Sequence, residues 1–286
     1  MPELPEVEIV KQSLRKRVLY KKIKNVFIKN RNLRFKIDNN IEKLLKNKKI
    51  INITRKSKYL IIHLKKENYL IIHFGMSGTL HLIRKKVNRS TNLSFYHSMI
   101  MPQKHNHVEI IFSNFKIVYN DPRKFGFFKL LLSTDKLKNF FINLGAEPLD
   151  VKFNENYFKK KIINKEKNIK NILLDQKIIS GIGNIYANEI LFYSRINPFK
   201  KGKNVQENEI KQIIKYSKFV LKKAIRKGGS TIRNFKNTKG NIGSYQNEFK
   251  VYDRTGKKCL RNNCDGKISR FLISNRSTYL CKYCQK

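Results

Sequence analysis

Acidic side chains are scarce in this sequence. Sixty-three lysines and arginines stand against 20 aspartates and glutamates, which leaves a formal net charge of +43 over 286 residues. So large an excess makes a polyanion the natural partner and puts nucleic acid first. A strong nucleotide bias in the genome would enrich Lys, Asn and Ile in the same way, so charge alone does not separate DNA from RNA or from an anionic membrane. Cysteine is nearly absent: there are four, all between Cys259 and Cys284. That crowding excludes a disulfide scaffold running through the whole protein. No apolar run reaches the roughly 18 residues of a membrane span, so no membrane partner is expected. The start is acidic and proline-containing rather than basic and then apolar, so no signal peptide is expected either. There is no internal repeat, and the length is enough for two domains with cores of their own.

What the chain does have begins at its second residue. It opens Met1-Pro2-Glu3-Leu4-Pro5-Glu6-Val7-Glu8. Removal of the initiator methionine would leave the secondary amine of Pro2 at the head of the fold, beside one carboxylate and a helical turn from another. An α-amino group titrates at about 7.7–8.0 when unperturbed, and burial or nearby cations lower that value. A neutral amine of this kind attacks carbonyl carbons and forms Schiff bases. The same residues are also ordinary helix-start signals, with Pro5 in the first turn and glutamates at the positive end of the dipole.

Residues 5–18 read as one helix, with Val7, Val10, Leu14 and Val18 at helical spacing. From about 22 to 132 the pattern turns to short β-rich runs, as at 59–64, 69–74, 108–112 and 116–119, which suggests a sandwich or barrel. Residues 83–104 read as a basic surface loop. After Gly145 the chain turns helical, with segments near 154–163, 167–176, 184–195 and 206–227, the last stopped by Gly228-Gly229. Ile179-Ser180-Gly181-Ile182-Gly183-Asn184 is a tight turn between helices. Residues 236–247 are rich in Gly and Asn and read as a flexible loop.

The clearest local chemistry is Cys259-Leu-Arg-Asn-Asn-Cys264 followed, after sixteen intervening residues, by Cys281-Lys-Tyr-Cys284. Two close pairs at this separation read as a tetrahedral Zn site, with a redox pair as the alternative, and four thiolates would leave no open position, so a zinc site would be structural. Between the pairs lies a hairpin with Arg276 near its tip, where a guanidinium can bind phosphate bidentately. The helix opened by Gly183-Asn184 presents free N–H groups that suit phosphate. In the β-rich half, His73-Phe74-Gly75-Met76-Ser77-Gly78 puts Met76 on a turn, and Asn120-Asp121-Pro122-Arg123-Lys124-Phe125-Gly126 puts a cation and an aromatic on another. Enzymes that extrude a base fill the vacated stack with such groups. Taken alone, each of these two turns reads first as an ordinary loop, Lys58, just before a strand, as a surface lysine, Arg276 equally as a solvated turn residue, and the glycines between helices are also common without function.

Taken together and in order, these segments resemble the formamidopyrimidine-DNA glycosylase family. The matching pieces are Pro-Glu-Leu-Pro-Glu-Val-Glu at the start, Ser57-Lys58-Tyr59-Leu60, the 73–78 turn, His105-Asn106-His107-Val108-Glu109, Asp121-Pro122-Arg123-Lys124-Phe125-Gly126, Leu173-Leu174-Asp175-Gln176 with Gly181–Ala187, Gly228-Gly229-Ser230-Thr231-Ile232-Arg233 and the cysteine hairpin. They run from residue 2 to near the end of the chain. The resemblance implies an α+β architecture. An N-terminal helix and catalytic β-sandwich would span 1–132, a linker 133–150, and a helix-two-turn-helix DNA-binding domain 151–235. A loop over the damaged base would span 236–247 and a zinc finger 248–286.

It also implies roles. Pro2 would be the Schiff-base nucleophile, Glu3 the acid–base group that helps open the sugar, and Lys58 the phosphate contact and proton carrier of β-elimination. Met76, Arg123 and Phe125 would fill the vacated stack, and His105, Lys165, Lys170 and Asn184 would contact DNA. Arg276 would grip a phosphate and serve δ-elimination, and Cys259, Cys264, Cys281 and Cys284 would hold one Zn2+. The expected activity is excision of oxidised purines from double-stranded DNA with cleavage of the abasic site. The expected state is a monomer, cytoplasmic and nucleoid-associated in a bacterium. The sister endonuclease VIII type, which prefers oxidised pyrimidines, is the nearest rival; Leu4 and the Arg123/Phe125 pair favour the purine-directed branch. A non-catalytic DNA-binding zinc protein and a general RNA-binding protein are the others. Two features depart from the family pattern: four residues rather than two lie inside the first cysteine pair, and the 81–105 connection is longer.

Overall fold

The computed structural model describes residues 1–84, 90–94, 102–230 and 244–286. The chain divides into two compact units, one made of Met1–Ile142 with Lys227–Ser244, the other of Asn143–Arg226 with Tyr245–Lys286.

In the first unit, α1 (Leu4–Val18) starts with a Glu3/Glu6 capping box and Pro5 in its first turn, and carries Arg15, Lys16 and Arg17 in its last. Both ends therefore oppose the helix dipole with the right sign. Its buried stripe is Leu4, Val7, Val10, Leu14 and Val18. The strands form two antiparallel sheets. One contains β1 (Asn25–Ile28), β5 (Thr79–Arg84), β6 (Ser90–Asn92), β7 (Asn106–Ile111) and β8 (Phe115–Asn120), in the order β1-β7-β8-β5-β6. The other contains β2 (Ile50–Lys56), β3 (Tyr59–Leu64), β4 (Asn68–His73) and β9 (Phe127–Leu131), in that order. A short helix, α2 (Ile41–Leu45), lies between β1 and β2 in the chain. Side chains from α1 and from both sheets, among them Val10, Leu60, Ile72, Leu80 and Ile117, share one core.

Strands β3 and β4 read as almost continuous apolar runs because both faces of their sheet are covered. Leu60, Ile62, Leu70 and Ile72 face the main core. Ile61, Tyr69, Ile71 and Phe127 face the other way, where Leu137, Phe140 and Phe141 pack against them. These three belong to α3 (Thr134–Phe141), whose N-cap Ser133 accepts the Lys136 N–H. The stretch 133–150, read as linker, therefore contains a helix. The stretch 83–104, read as loop, contains β6, which pairs with β5 through His81↔Asn92 and Ile83↔Ser90. Leu93 is buried behind it and donates its N–H to Leu80 O, so part of the extra length is an added sheet edge.

The second unit contains α4 (Glu155–Ile162), α5 (Ile169–Leu174), α6 (Asn184–Ser194) and α7 (Glu207–Arg226), followed by the hairpin β10 (Ile268–Ile273) and β11 (Arg276–Cys281). Asn154 and Asn168 cap α4 and α5 by accepting the N–H groups of Tyr157 and Asn171. Residues 185–192 of α6 are buried all round, so it is the central helix of the unit. It ends at Arg195 in the left-handed conformation. Among the described residues no helix is long and apolar enough to cross a membrane. Of the 236–247 loop, residues 236–243 lie outside the described residues.

Candidate functional site

In the first unit the chain start is a knot of charge. Pro2 is buried, as are Glu3 and Glu6. Glu6 Oε2 accepts the Glu3 N–H at 2.9 Å. Its other oxygen accepts both the N–H and the hydroxyl of Ser230, at 2.8 and 2.9 Å. Gly229 precedes Ser230 with φ +78°, and a Cβ there would lie 3.2 Å from Glu6 Oε1. A left-handed glycine is what brings this backbone onto the carboxylate.

The chain-start amine, on Met1 here, is held below its ordinary value. Burial is the main cause; Glu3 and Glu6 oppose it, and Lys58 and Arg123 reinforce it. Burial disfavours the ammonium form, so more of the amine is neutral at a given pH. All four side chains thus act on the amine at the head of the fold.

Lys58 is buried in the two-residue connection between β2 and β3, after Ser57 at φ 55°. Arg55 fixes that connection: it donates to Ser57 O and to Glu8 Oε2 on α1. Burial raises the Glu8 carboxyl, but bonds from Lys11 and Gln12 and the charge of Arg55 outweigh it and hold the group below its usual range. The ionised form is what Arg55 needs.

Met76 and Phe125 are 41% and 42% exposed, which is far more than core side chains of their size show. The guanidinium of Arg123 lies over the Phe125 ring, 4.6 Å from its centroid. The two turns that carry them touch at Gly75, where φ is +58° and a Cβ would meet the Phe125 carbonyl carbon at 2.3 Å. Sequence reasoning missed the residue that organises both turns. Asp121 is fully buried and accepts the Ser77 hydroxyl, the Tyr119 hydroxyl at 3.0 Å and the Gly126 N–H at 2.9 Å. Its backbone reaches the neighbouring loop, its N–H donating to His105 O and its carbonyl accepting from His107 Nε2. The signal was available, since an Asp before Pro at a turn bonds its own loop. His105 is half-exposed beside this hub.

His73 was also passed over. Its Nδ1 accepts the Gly75 N–H at 3.1 Å. Burial first, then the charges of Lys58 and Arg34, push its pKa down to about 4, so it is neutral near pH 7.

In the second unit the hairpin turns through Ser274 and Asn275, both left-handed, and Arg276 follows, exposed. Four side chains of α5 and α6 hold this hairpin. The Lys170 ammonium, fully buried, donates to Ser277 O and Thr278 Oγ1, both at 2.8 Å. Asn184 Nδ2 donates to the same Ser277 carbonyl at 3.0 Å. Asn171 donates to Ser274 Oγ, and Asn188 accepts the Tyr279 N–H. Lys170 and Asn184, expected at a DNA surface, thus spend donors on the strand that begins with Arg276. Lys165 is exposed. Gln176 fastens the turn before α6, accepting the Gly181 N–H and donating to Ile182 O. Glu189, unremarked in the sequence, is fully buried on α6 and accepts the N–H groups of Lys250, Val251 and Tyr252. Burial raises its pKa against those three bonds.

The four cysteines converge. Their sulfurs all lie within 4.8 Å of one another, with Cys259–Cys284 at 3.9 Å and Cys264–Cys281 at 3.6 Å. Four thiolates around one zinc at Zn–S of about 2.3 Å would sit about 3.8 Å apart, so the donor set fits. The two extra residues in the first pair do not spread it. They are absorbed in a loop where Asn263 has φ 58° and Arg261 donates to Phe192 O while lying over the Phe192 ring.

Comparison with known proteins bears on both units. The family model of the formamidopyrimidine-DNA glycosylase N-terminal domain matches residues 1–128, and that of the H2TH domain of the same enzyme matches 144–236. A relative from Wolbachia sp. subsp. Drosophila simulans, named formamidopyrimidine-DNA glycosylase, is 40% identical over 286 residues and is covered in full, as is this chain. Three solved structures of the Lactococcus lactis protein are similar throughout. A mutant with Fapy-dG containing DNA has a TM-score of 0.88 at 33% identity, with 100% of each chain covered. A complex with abasic-site DNA scores 0.87 at 33% identity over 99% of each. The wild type with oxidised-pyrimidine DNA scores 0.86 at 32% identity over 100% of each. The order of motifs, the fold of each unit and these full-length likenesses agree: the chain belongs to the formamidopyrimidine-DNA glycosylase family.

Proposed function

We propose that this protein removes oxidised purines, 8-oxoguanine and formamidopyrimidines, from double-stranded DNA and then cuts the strand at the resulting abasic site. The observation that carries this reading is the environment of the chain-start amine, depressed by burial and faced by Glu3, Glu6, Lys58 and Arg123. With Met1 removed, the nucleophile is the Pro2 nitrogen. It attacks C1′ of the deoxyribose while Glu3 gives a proton to the ring oxygen, the sugar opens, and the bond to the base breaks. The nitrogen, having lost its proton on attack, pushes its lone pair toward C1′ as the base departs and becomes an iminium, which acidifies the C2′ proton. Loss of that proton expels the 3′ phosphate, and a second elimination expels the 5′ phosphate. No redox partner is required, because the iminium is the electron sink.

Around this step Lys58 contacts phosphate and moves protons. Met76, Arg123 and Phe125 occupy the gap left by the extruded nucleotide, an exposed wedge and a stacked cation being what such a gap needs. His105 and Lys165 contact the DNA backbone. Arg276 binds a phosphate bidentately, and Lys170 and Asn184 hold its strand in place. Cys259, Cys264, Cys281 and Cys284 would hold one Zn2+, which would stiffen the hairpin and take no part in the chemistry. The relatives' complexes with Fapy-dG and abasic-site DNA support the substrate class.

Borohydride reduction of the iminium tests the reading. Protein should become covalently linked to a duplex carrying 8-oxoguanine, and Pro2→Gly or a tag ahead of Pro2 should abolish the link; unchanged trapping in either would overturn it. An intact mass lacking methionine should accompany trapping. A panel of duplexes with oxidised purines and pyrimidines separates this reading from the endonuclease VIII type, which the oxidised-pyrimidine complex of the Lactococcus lactis relative makes worth testing.

A further inference from the structure

The first unit contains a cavity of about 570 Å³ on the side of the four-stranded sheet that faces α3. This lies within the range of small-ligand sites, about 300–1,000 Å³. Its walls are aromatic. Phe35, Tyr59, His73 and Phe127 all line it. His73 and Phe127 are stacked at 5.4 Å between centroids, Tyr59 sits 5.0 Å from His73, and Phe35 meets Phe127 edge-on at 5.2 Å. The rim is cationic: Arg34, Lys36 and Lys129 are exposed there, against the one carboxylate of Asp38.

Two features say that the cavity is more than a packing gap. Phe35 is 58% exposed at its mouth, a large ring left in solvent beside other rings. Rings presented in this way, with cations alongside, are how proteins hold single bases without reading sequence. The pKa of His73 is about 4, so the wall it supplies is neutral and stackable near pH 7.

We propose that this cavity is a second nucleotide site, taking one unstacked purine nucleotide with its base against Phe35 and Phe127 and its phosphate among Arg34, Lys36 and Lys129. Phe35 and Lys129, the residues varied in the test below, have no role in the proposed reaction. A free nucleotide and the terminal nucleotide of a single strand present the same base and phosphate, and the test distinguishes them.

The chain has no tryptophan, so Phe35→Trp introduces a unique reporter at the mouth of the cavity. Titration with dAMP should quench it saturably. Ribose 5-phosphate, which lacks the base, and deoxyadenosine, which lacks the phosphate, should each bind at least about fivefold more weakly. Saturation-transfer NMR of dAMP should detect binding to the unaltered protein, reduced at least about fivefold by Phe35→Ala and by Lys129→Ala. A single-stranded tetranucleotide ending in the same base should compete with dAMP if strand ends use the site; failure to compete assigns it to the free nucleotide. Absence of saturable dAMP binding, equal binding of ribose 5-phosphate, or full binding to Phe35→Ala would each overturn the proposal.

Discussion

Glu6 and Ser230 are joined by two hydrogen bonds across most of the length of the chain, Ser230 donating its N–H and its hydroxyl to the same carboxylate oxygen. The other oxygen of Glu6 accepts the Glu3 N–H. One buried side chain therefore ties the head of the fold to the segment entering residues 231–243. Glu6→Gln keeps an acceptor for Ser230 but turns an NH2 donor toward the Glu3 N–H. Leaving buried donors unmatched costs about 1–3 kcal/mol, so chemical denaturation should show a loss of about that size. Glu6 also raises the pKa of the chain-start amine. Removing its charge should lower that pKa and carry the acid limb of borohydride trapping to lower pH. An unchanged acid limb would separate Glu6 from the reacting amine.

Lys170 and Arg276 should behave as one device. The Lys170 ammonium is buried against Ser277 and Thr278, immediately after Arg276. Replacement by methionine keeps the volume and deletes charge-assisted bonds worth about 1.5–3 kcal/mol. If Lys170 acts by placing Arg276, Lys170→Met and Arg276→Ala should each slow strand cutting, and the double variant should be no slower than the worse single one. Arg276→Ala should flatten the salt dependence of DNA affinity by about one phosphate contact. If the effects of the two changes simply add, Lys170 does something other than hold this strand.

How far the sequence could be read differs by element, for physical reasons. Helices α1, α4, α5 and α7 were legible because their periodicity is local, α6 because the turn at Gly181 and Gly183 marks its start, and β3 because Tyr59-Leu60-Ile61-Ile62-His63-Leu64 is β-rich without reference to a partner. Helix α3 was not: it is eight residues long, and its apolar side, Leu137, Phe140 and Phe141, makes sense only against the outer face of β4 and β9. Strand β6 is three residues of Ser, Thr and Asn, and it exists through pairing with β5. The site divides in the same way. The cysteines and the two turns announce themselves by spacing. Asp121 carried a local signal as an Asp before Pro, but its bond to Ser77, the Glu189 bonds to 250–252 and the Glu6–Ser230 link are long-range relations between polar residues that look like surface groups in one dimension. For Lys170, the family resemblance implied a DNA contact, and only the fold shows its ammonium enclosed against Ser277 and Thr278.

Metal content tests the cysteine cluster directly. The purified protein should carry one zinc per chain, and stripping it with a thiol-reactive mercurial and a chelator should release that zinc while leaving the first unit folded. The β10–β11 amides should then exchange faster, because Cys259, Cys264, Ile268, Tyr279 and Cys281 form a small cluster with Val251 and Phe192 of α6, apart from the main cores. Small metal-held modules draw much of their folding energy from the ion. Cys264→Ser should reproduce the loss. Full zinc occupancy in that variant would mean that the widened first pair does not supply a ligand.

Two histidines should make the first unit sensitive to acid. Burial pushes the pKa of His81 down to about 4, and burial with Lys58 and Arg34 does the same to His73. Unfolded, each would titrate at about 6.5. As pH falls from about 6.5 toward 4, the unfolded chain takes up protons that the folded chain refuses, so stability falls with falling pH across that window. Above it both states hold neutral imidazoles and the contribution is flat. His81 is buried in β5, where its Nε2 pairs with Thr79 Oγ1 at 2.9 Å, and it has no role in the proposed chemistry. His81→Leu should therefore reduce the slope of unfolding free energy against pH by up to about 1.4 kcal/mol per pH unit between pH 6 and 4.5. The readout is the slope, whatever the variant does to stability at neutral pH, and an unaltered slope would mean that His81 accepts its proton in the folded state.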